Sequence, residues 1–470
     1  MSRIRLIIML AGWCLACPCS AGRAPAVNTA AAATAGATAT SSYRPEDFAD
    51  ADAAYDALIE AMDGCQGPAE KLALNEAFLT AFPASDHTVS RVEALVAYRG
   101  SQLGDFPGAI AWVEDFRARL AAPERQVDPA LLESLDHKLI DLYGTADMVD
   151  AMCRLARDLH DAGKLRFNDY LKVIRHANRL ERWTLADEWC QLARRVVNAA
   201  GVRREYPGFE FGTQELQVNV DNWRGMLLCY QSRALARLGA PRAALNDFAE
   251  ADSLLWKTYL GVPDVPLDLF WGETLAAAGR PEQALDRLTR PALILGDEDA
   301  LVLYWRLYAE VHGGEAGFAE HARRQRERLA RTLDDFTLPD YDGRRHDWCD
   351  IRGRATLLSF WYPTCIGCRV ELPQLEALWE RYRDQGLRVV AIDARADTER
   401  AHRFIVQQNL SFLTLENTPD DDVVGCRFNV DSFPQSWLID DEGRIVRVHR
   451  NWQDGDAQEL ERQIRELLDL

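Results

Sequence analysis

Two hydrophobic rhythms divide the chain. From residue 45 to residue 333 apolar positions recur three and four apart, with almost no strict alternation, which is the pattern of amphipathic helices. Short turns carrying Gly, Pro or Asp punctuate this stretch. A turn residue followed five positions later by a small apolar residue recurs at Gly104/Ala109, Gly144/Val149, Glu181/Ala186, Gly239/Ala244, Gly279/Ala284 and Gly314/Ala319, at intervals of 35 to 58 residues. A glycine that adopts the left-handed conformation ends a helix, and a small residue five positions on lets the next helix cross close to it. One such pair cannot bury its apolar face, so successive pairs must stack. The prediction is an all-α helical-hairpin solenoid over 45–333, with 200–222 as an inserted loop.

Near Asp334 the rhythm changes. Ala355–Trp361 reads as a buried strand, Ile366–Arg383 as a helix, Leu387–Ile392 as a strand, Thr398–Gln408 as a helix and Phe412–Leu415 as a short strand. Ser436–Ile439 and Ile445–His449 read as strands joined by Asp440-Asp441-Glu442-Gly443, a hairpin turn whose glycine supplies positive φ. Ala457–Leu468 closes the chain as a helix. A βαβ unit, a hairpin and a last helix predict a small α/β domain over 334–470, a mixed sheet covered on both faces and able to fold by itself.

Two stretches before residue 45 carry no fold signal. Arg3 and Arg5 precede an apolar run from Leu6 to about Ala16, too short to span a bilayer and shaped like a secretory signal. Ala24-Pro25-Ala26 offers a cleavage site, so residues 1–26 are expected to be a signal peptide. Leu15-Ala16-Cys17 resembles a lipoprotein site, although Cys14 stands where such a site has Leu; membrane contact is expected only if Cys17 is lipidated. Residues 27–44, rich in Ala, Thr and Ser, read as a flexible linker. The expected location is therefore periplasmic or otherwise exported. The net charge of −19 disfavours nucleic acid as a partner.

Eight cysteines follow the expected signal, at 65, 153, 190, 229, 349, 365, 368 and 426. Cys153, Cys190 and Cys229 fall on apolar helical faces and read as buried thiols. Pairing among the scattered ones cannot be read from spacing. Cys365 and Cys368 differ: they stand one helical turn apart at the first strand-to-helix junction, in Trp361-Tyr362-Pro363-Thr364-Cys365-Ile366-Gly367-Cys368-Arg369. A thiol at a helix N-terminus is stabilised as thiolate, the attacking species in disulfide exchange, and a second thiol one turn on can resolve the mixed disulfide. A zinc site would need a second ligand pair, and Cys349, Cys426, His346, His402 and His449 are isolated from one another. A copper carrier would need His449 to approach the pair, whereas a histidine on the last strand reads as a surface residue of an edge. A peroxidatic cysteine would need Pro and Thr several residues ahead of it; Pro363 and Thr364 are too close. Asp420-Asp421-Asp422 reads as a solvated helix start. No cofactor is expected.

Two family resemblances attach to these residues. The helical stretch resembles tetratricopeptide repeats, best in Ala234-Leu235-Ala236-Arg237-Leu238-Gly239 with Pro241 and Ala244, and in Glu273–Pro281 with Ala284. Residues 336–470 resemble exported TlpA/ResA-like thiol–disulfide oxidoreductases of thioredoxin fold. The resemblance rests on the dithiol, on Asp335-Phe336-Thr337-Leu338-Pro339 with Asp342-Gly343, on Cys368-Arg369-Val370-Glu371-Leu372-Pro373, on Phe433-Pro434 and on Trp437-Leu438-Ile439-Asp440. It implies a cis-proline at Pro434 facing the dithiol, a Phe433 backbone that pairs with substrate, and a Glu371 carboxyl that tunes thiol protonation. The chain departs from thioredoxins at Thr364, at Ile366-Gly367 between the cysteines, and at Ser359 where a buried Asp is usual; residues 334–470 contain no Lys.

The function expected from these features is dithiol–disulfide exchange on cysteine-bearing protein substrates. Cys365 attacks, Cys368 resolves, a separate redox partner resets the pair, and the helical repeats select partners. The alternative is a cell-envelope scaffold in which the redox domain is auxiliary.

Overall fold

The computed structural model describes residues 43–470 apart from 66, 396, 397, 431 and 454. The expected signal segment, with Cys17 and Ala24–Ala26, and the linker up to residue 42 lie outside the described residues. The chain forms two compact units, the first ending at Glu210 and the second running from Phe211 to Leu470.

The first unit is helical, from Ala51–Asp63 through Trp183–Ala193 to the short helix Ala199–Glu205. Tyr43 is buried, and its hydroxyl donates to the Ala54 carbonyl at 3.0 Å. Gly104 (φ 72°) and Glu181 (φ 57°) take the left-handed conformation expected of turn residues. Between Pro129–Thr145 and Val149–Asp161 that role passes to Asp147 (φ 58°). Gly144 lies inside the helix, where a Cβ would stand 2.8 Å from the His176 ring. Its lack of a side chain serves a close crossing. Ala109, Val149 and Ala186 are buried, as small crossing residues should be. The inserted loop expected at 200–222 is much shorter, because Ala199–Glu205 and the long helix Thr213–Arg237 occupy most of it.

The second unit opens with helices Thr213–Arg237, Pro241–Leu254, Leu267–Ala277, Pro281–Leu293, Glu298–His312 and Phe318–Leu329. Gly239 (φ 97°) and Gly279 (φ 72°) make the turns, and Ala244 and Ala284 are fully buried beyond them. In the last pair Ala319 is exposed and Ala322 is the buried small residue. Cys190 and Cys229 are buried and Cys153 partly so. Trp189 and Trp223 are core residues, whereas Trp256 and Trp305 are exposed.

The strands follow: β1 Arg331–Thr332, β2 Thr337–Pro339, β3 Arg345–Asp347, β4 Ala355–Trp361, β5 Leu387–Asp393, β6 Leu413–Glu416, β7 Gln435–Asp440 and β8 Arg444–Arg450. The main sheet has the order β1-β8-β7-β4-β5-β6, with β4, β5 and β6 parallel and β7, β8 and β1 antiparallel to their neighbours. β2 and β3 form a separate small ladder. All seven residues of β4 are buried, as befits a central strand covered on both faces. The crossovers through helices Ile366–Tyr382 and Thr398–Gln407 run the same way along the sheet, so right-handedness puts both helices on one face. Leu372, Leu375, Phe404, Leu460 and Ile464 share a core there with Leu357, Trp361 and Val389.

The opposite face buries Leu358, Phe360, Val390, Phe428, Trp437 and Val448 together with Tyr259, Leu260, Val262 and Ile294 from the helical segment. The Tyr259 ring lies parallel to Trp437 with centroids 5.7 Å apart. Its hydroxyl accepts from the Asp334 N–H at 2.8 Å, and the Arg331 guanidinium sits 3.7 Å above its ring. The Val448 N–H donates to the Ile294 carbonyl at 2.7 Å. The change of rhythm near Asp334 thus marks a change of secondary structure, while packing continues through it. β1, β2, β3 and the one-turn helix Trp348–Ile351 have no counterpart in the sequence pattern, each being too short to carry a period, whereas Val423–Arg427 follows the helix start expected at Asp420–Asp422.

Candidate active site

β4 ends at Trp361, and the chain turns through Tyr362-Pro363-Thr364 into the helix Ile366–Tyr382, with Cys365 at its N-cap. Cys365 and Cys368 are joined as a disulfide with Cα atoms 5.2 Å apart. The Cys368 N–H donates to Cys365 Sγ at 3.1 Å, so a free amide at the helix start faces the first sulfur. Cys365 is nearly buried and Cys368 wholly so.

The Phe433–Pro434 peptide is cis. The proline ring abuts the turn between the two cysteines: a Cβ on Gly367 would stand 2.9 Å from Pro434 Cδ. The Pro434 carbonyl accepts from the Asn451 N–H at 2.9 Å, which ties the loop to the end of β8. Phe433 is partly buried and meets the Tyr362 ring edge-on at 5.3 Å. The structure therefore brings Cys365, Cys368, Phe433 and Pro434 into one place.

Glu371 stands one turn beyond Cys368, facing the sheet and 1% exposed. Its two oxygens accept from Ser436 Oγ at 2.7 Å and from Ser359 Oγ at 3.2 Å. Ser359 on β4 and Ser436 on β7 are direct cross-strand partners, so two adjacent strands present hydroxyls to one helix carboxyl. Burial pushes the carboxyl up to about 7, with the two serine bonds pulling it back. Glu371 is thus a buried carboxyl held by two strand hydroxyls. Ser436 was not singled out from sequence; the available signal is its place two residues after Pro434, on the same strand face.

His449 lies opposite Ser436 in the register of β7 and β8. It is partly buried, and its Nε2 is 2.9 Å from Gln463 Oε1 of the C-terminal helix Asp456–Leu468. Burial pushes its pKa down. This replaces the reading of a surface histidine on an edge strand. The other possible metal ligands stand apart: His346 Nε2 contacts Asp340 Oδ2 at 2.7 Å, His402 lies near the Tyr341 ring, and Cys349 and Cys426 are exposed free thiols. Among the described residues only Asp440, Asp441 and Glu442 gather closely enough to share an ion. Asp422 caps Val423–Arg427 by accepting from the Gly425 N–H at 2.8 Å. Among the described residues no helix is long and apolar enough to cross a membrane.

The AhpC/TSA family matches residues 329–448. The thiol–disulfide oxidoreductase ResA of Bacillus cereus is 26% identical over 137 residues, covering 28% of this chain and 78% of that protein. ResA of Geobacillus thermodenitrificans is 29% identical over 120 residues, 26% of this chain and 68% of that protein. Among solved structures, a secreted disulfide oxidoreductase of Mycobacterium tuberculosis homologous to E. coli DsbE is 26% identical, with a TM-score of 0.25, over 28% of this chain and 95% of that one. The C-terminal region is an AhpC/TSA-type thioredoxin-fold domain, and ResA-like thiol–disulfide oxidoreductases are among its homologues. The chain is a thiol–disulfide oxidoreductase with a helix-rich N-terminal region.

Proposed function

We propose that this chain is an exported enzyme that exchanges disulfides with protein substrates through Cys365 and Cys368. The observation that carries this reading is the dithiol position itself: a cysteine pair at a helix N-terminus, packed against the Phe433–Pro434 loop. In the reducing direction the Cys365 thiolate attacks one sulfur of a substrate disulfide. The substrate S–S bond breaks, a mixed disulfide forms, and the departing substrate thiolate takes up a proton. Cys368 then loses its proton and attacks Cys365 Sγ. The second substrate thiol leaves protonated, and the enzyme retains the Cys365–Cys368 disulfide. The reverse sequence oxidises a substrate dithiol. A second thiol–disulfide partner resets the pair.

Each remaining residue has a role in this scheme. The helix N-terminus favours thiolate at Cys365. Glu371, one turn past Cys368 on the buried side, takes or returns the proton that Cys368 exchanges; a carboxyl near 7 matches that task at neutral pH. Phe433 offers its backbone to an extended substrate strand, and Pro434 holds that backbone against the dithiol. The helical pairs of 45–333, as a tetratricopeptide-like array, select the partner.

Trapping tests the scheme. A Cys368→Ser chain should accumulate mixed disulfides through Cys365, and a Cys365→Ser chain should accumulate none. Trapping only through Cys368 would overturn the assignment of roles.

A further inference from the structure

Two arginines stand beside the dithiol, each against an aromatic ring. Arg369 follows Cys368 directly, and its N–H donates to the Cys365 carbonyl at 3.1 Å. Its guanidinium lies 4.7 Å from the Phe404 ring centroid and donates one N–H to the Pro363 carbonyl at 3.3 Å. Arg395, just past the end of β5, lies 4.0 Å over the Tyr362 ring. Tyr362 is the residue that meets Phe433 edge-on. Both arginines are exposed.

Several arginines of the domain pair with carboxylates, among them Arg381 with Glu461, Arg403 with Glu399, Arg444 with Asp440 and Arg462 with Glu459, while others, such as Arg383 over the Trp379 ring, do not. Among the described residues neither Arg369 nor Arg395 has a carboxylate within ion-pair distance. Each is fixed by an aromatic face, which orients a guanidinium without neutralising it. A guanidinium carries five donors in a planar fork suited to a carboxylate, and among the described residues one of these donors at Arg369 meets an acceptor. The helix N-terminus at Cys365 adds positive potential of the same sign. In a chain of net charge −19, the rim of the dithiol thus presents two exposed guanidinium groups, with the buried Asp393 carboxylate accepting only the Arg395 backbone N–H among the described contacts of these two residues, at 3.1 Å.

We infer that the substrate segment presented to Cys365 carries a carboxylate side chain close to its cysteine, received by Arg369 and Arg395. This rests on the exchange reaction proposed above and names the class of substrate for it: an acidic, cysteine-bearing polypeptide segment.

The test uses the reduced full-length chain and three fluorogenic disulfide peptides of one sequence, in which the residues flanking the cysteine are Glu, Gln or Lys. The Glu peptide should show a kcat/KM about tenfold above the Lys peptide, the scale of one or two charge-assisted contacts, with the Gln peptide between them. The ratio should shrink as salt rises. Arg395→Gln should lower kcat/KM for the Glu peptide more than for the Gln peptide. Equal turnover of all three peptides, or an equal loss on all three in Arg395→Gln, overturns the carboxylate assignment and leaves disulfide exchange standing; the arginines would then act on the Cys365 thiolate alone. No turnover of any peptide overturns both readings.

Discussion

The space that a side chain on Gly367 would need is filled by the ring of Pro434: a Cβ on the glycine would lie 2.9 Å from the proline Cδ. The two residues belong to segments far apart in the domain sequence, and their contact sets the distance between the dithiol turn and the loop before β7. The glycine between the cysteines is a condition for that approach.

Gly367→Ala should therefore push the Pro434 loop away from the dithiol. Overpacking of this kind costs about 1–3 kcal/mol, and the displaced loop should lower the rate of exchange with a peptide disulfide by roughly the same energy, about tenfold. Stopped-flow kinetics and a thermal melt of the same variant check this. An unchanged rate would show that the loop does not position substrate.

Glu371 should make stability depend on pH. Its folded pKa, about 7, lies above the ordinary 4.5. The protonated form is therefore favoured by folding: the stabilisation is complete below about pH 4.5 and is lost as pH rises through 7. The displacement corresponds to roughly 3 kcal/mol. Between pH 5 and 8 the melting temperature of the oxidised chain should fall further in wild type than in Glu371→Gln. Ser436→Ala, which removes a bond to the carboxylate, should move the titration higher. Parallel melting curves for wild type and Glu371→Gln would exclude ionisation of this carboxyl in that range.

Exchange activity should titrate with the same group. If Glu371 handles the Cys368 proton, Glu371→Gln should flatten the limb of the kcat profile near pH 7 and slow resolution of the mixed disulfide more than its formation. Single-turnover measurements with the Cys365 adduct separate those steps.

The packing of Tyr259 bears on where the enzyme unit can be cut. Tyr259 stacks on Trp437 and accepts from the Asp334 N–H, so residues 334–470 alone would expose the face that Tyr259, Leu260, Val262 and Ile294 cover. A fragment of residues 211–470 should melt cooperatively and at a clearly higher temperature than 334–470. Tyr259→Ala in the full chain should destabilise by about 3–5 kcal/mol. Equal melting temperatures for the two fragments would make the contact incidental.

Partner choice should reside in the helices. Trapped-substrate profiles of Cys368→Ser should narrow when residues 45–210 are present and broaden when only 211–470 remain. Identical profiles would reduce the helices of 45–210 to a spacer.

Local chemistry was legible from the chain alone. The dithiol at a strand-to-helix junction, the turn glycines at 239 and 279 and the strands around Leu357, Val390 and Leu438 depend on neighbours a few residues away, and period and spacing report such neighbours directly. The resemblance to TlpA/ResA-like proteins added Glu371, Phe433 and Pro434. Contacts between distant segments were decided by the tertiary structure. Ser436 reaches Glu371 across 65 residues because β7 registers against β4. Asp147 replaces Gly144 as a turn because His176 needs the room. Arg395 joins the rim of the dithiol because β5 ends beside β4. Tyr259 belongs to the sheet core although it lies 75 residues before Asp334. Such pairings follow from strand register and close packing, which select partners by position in space and leave no period in the sequence.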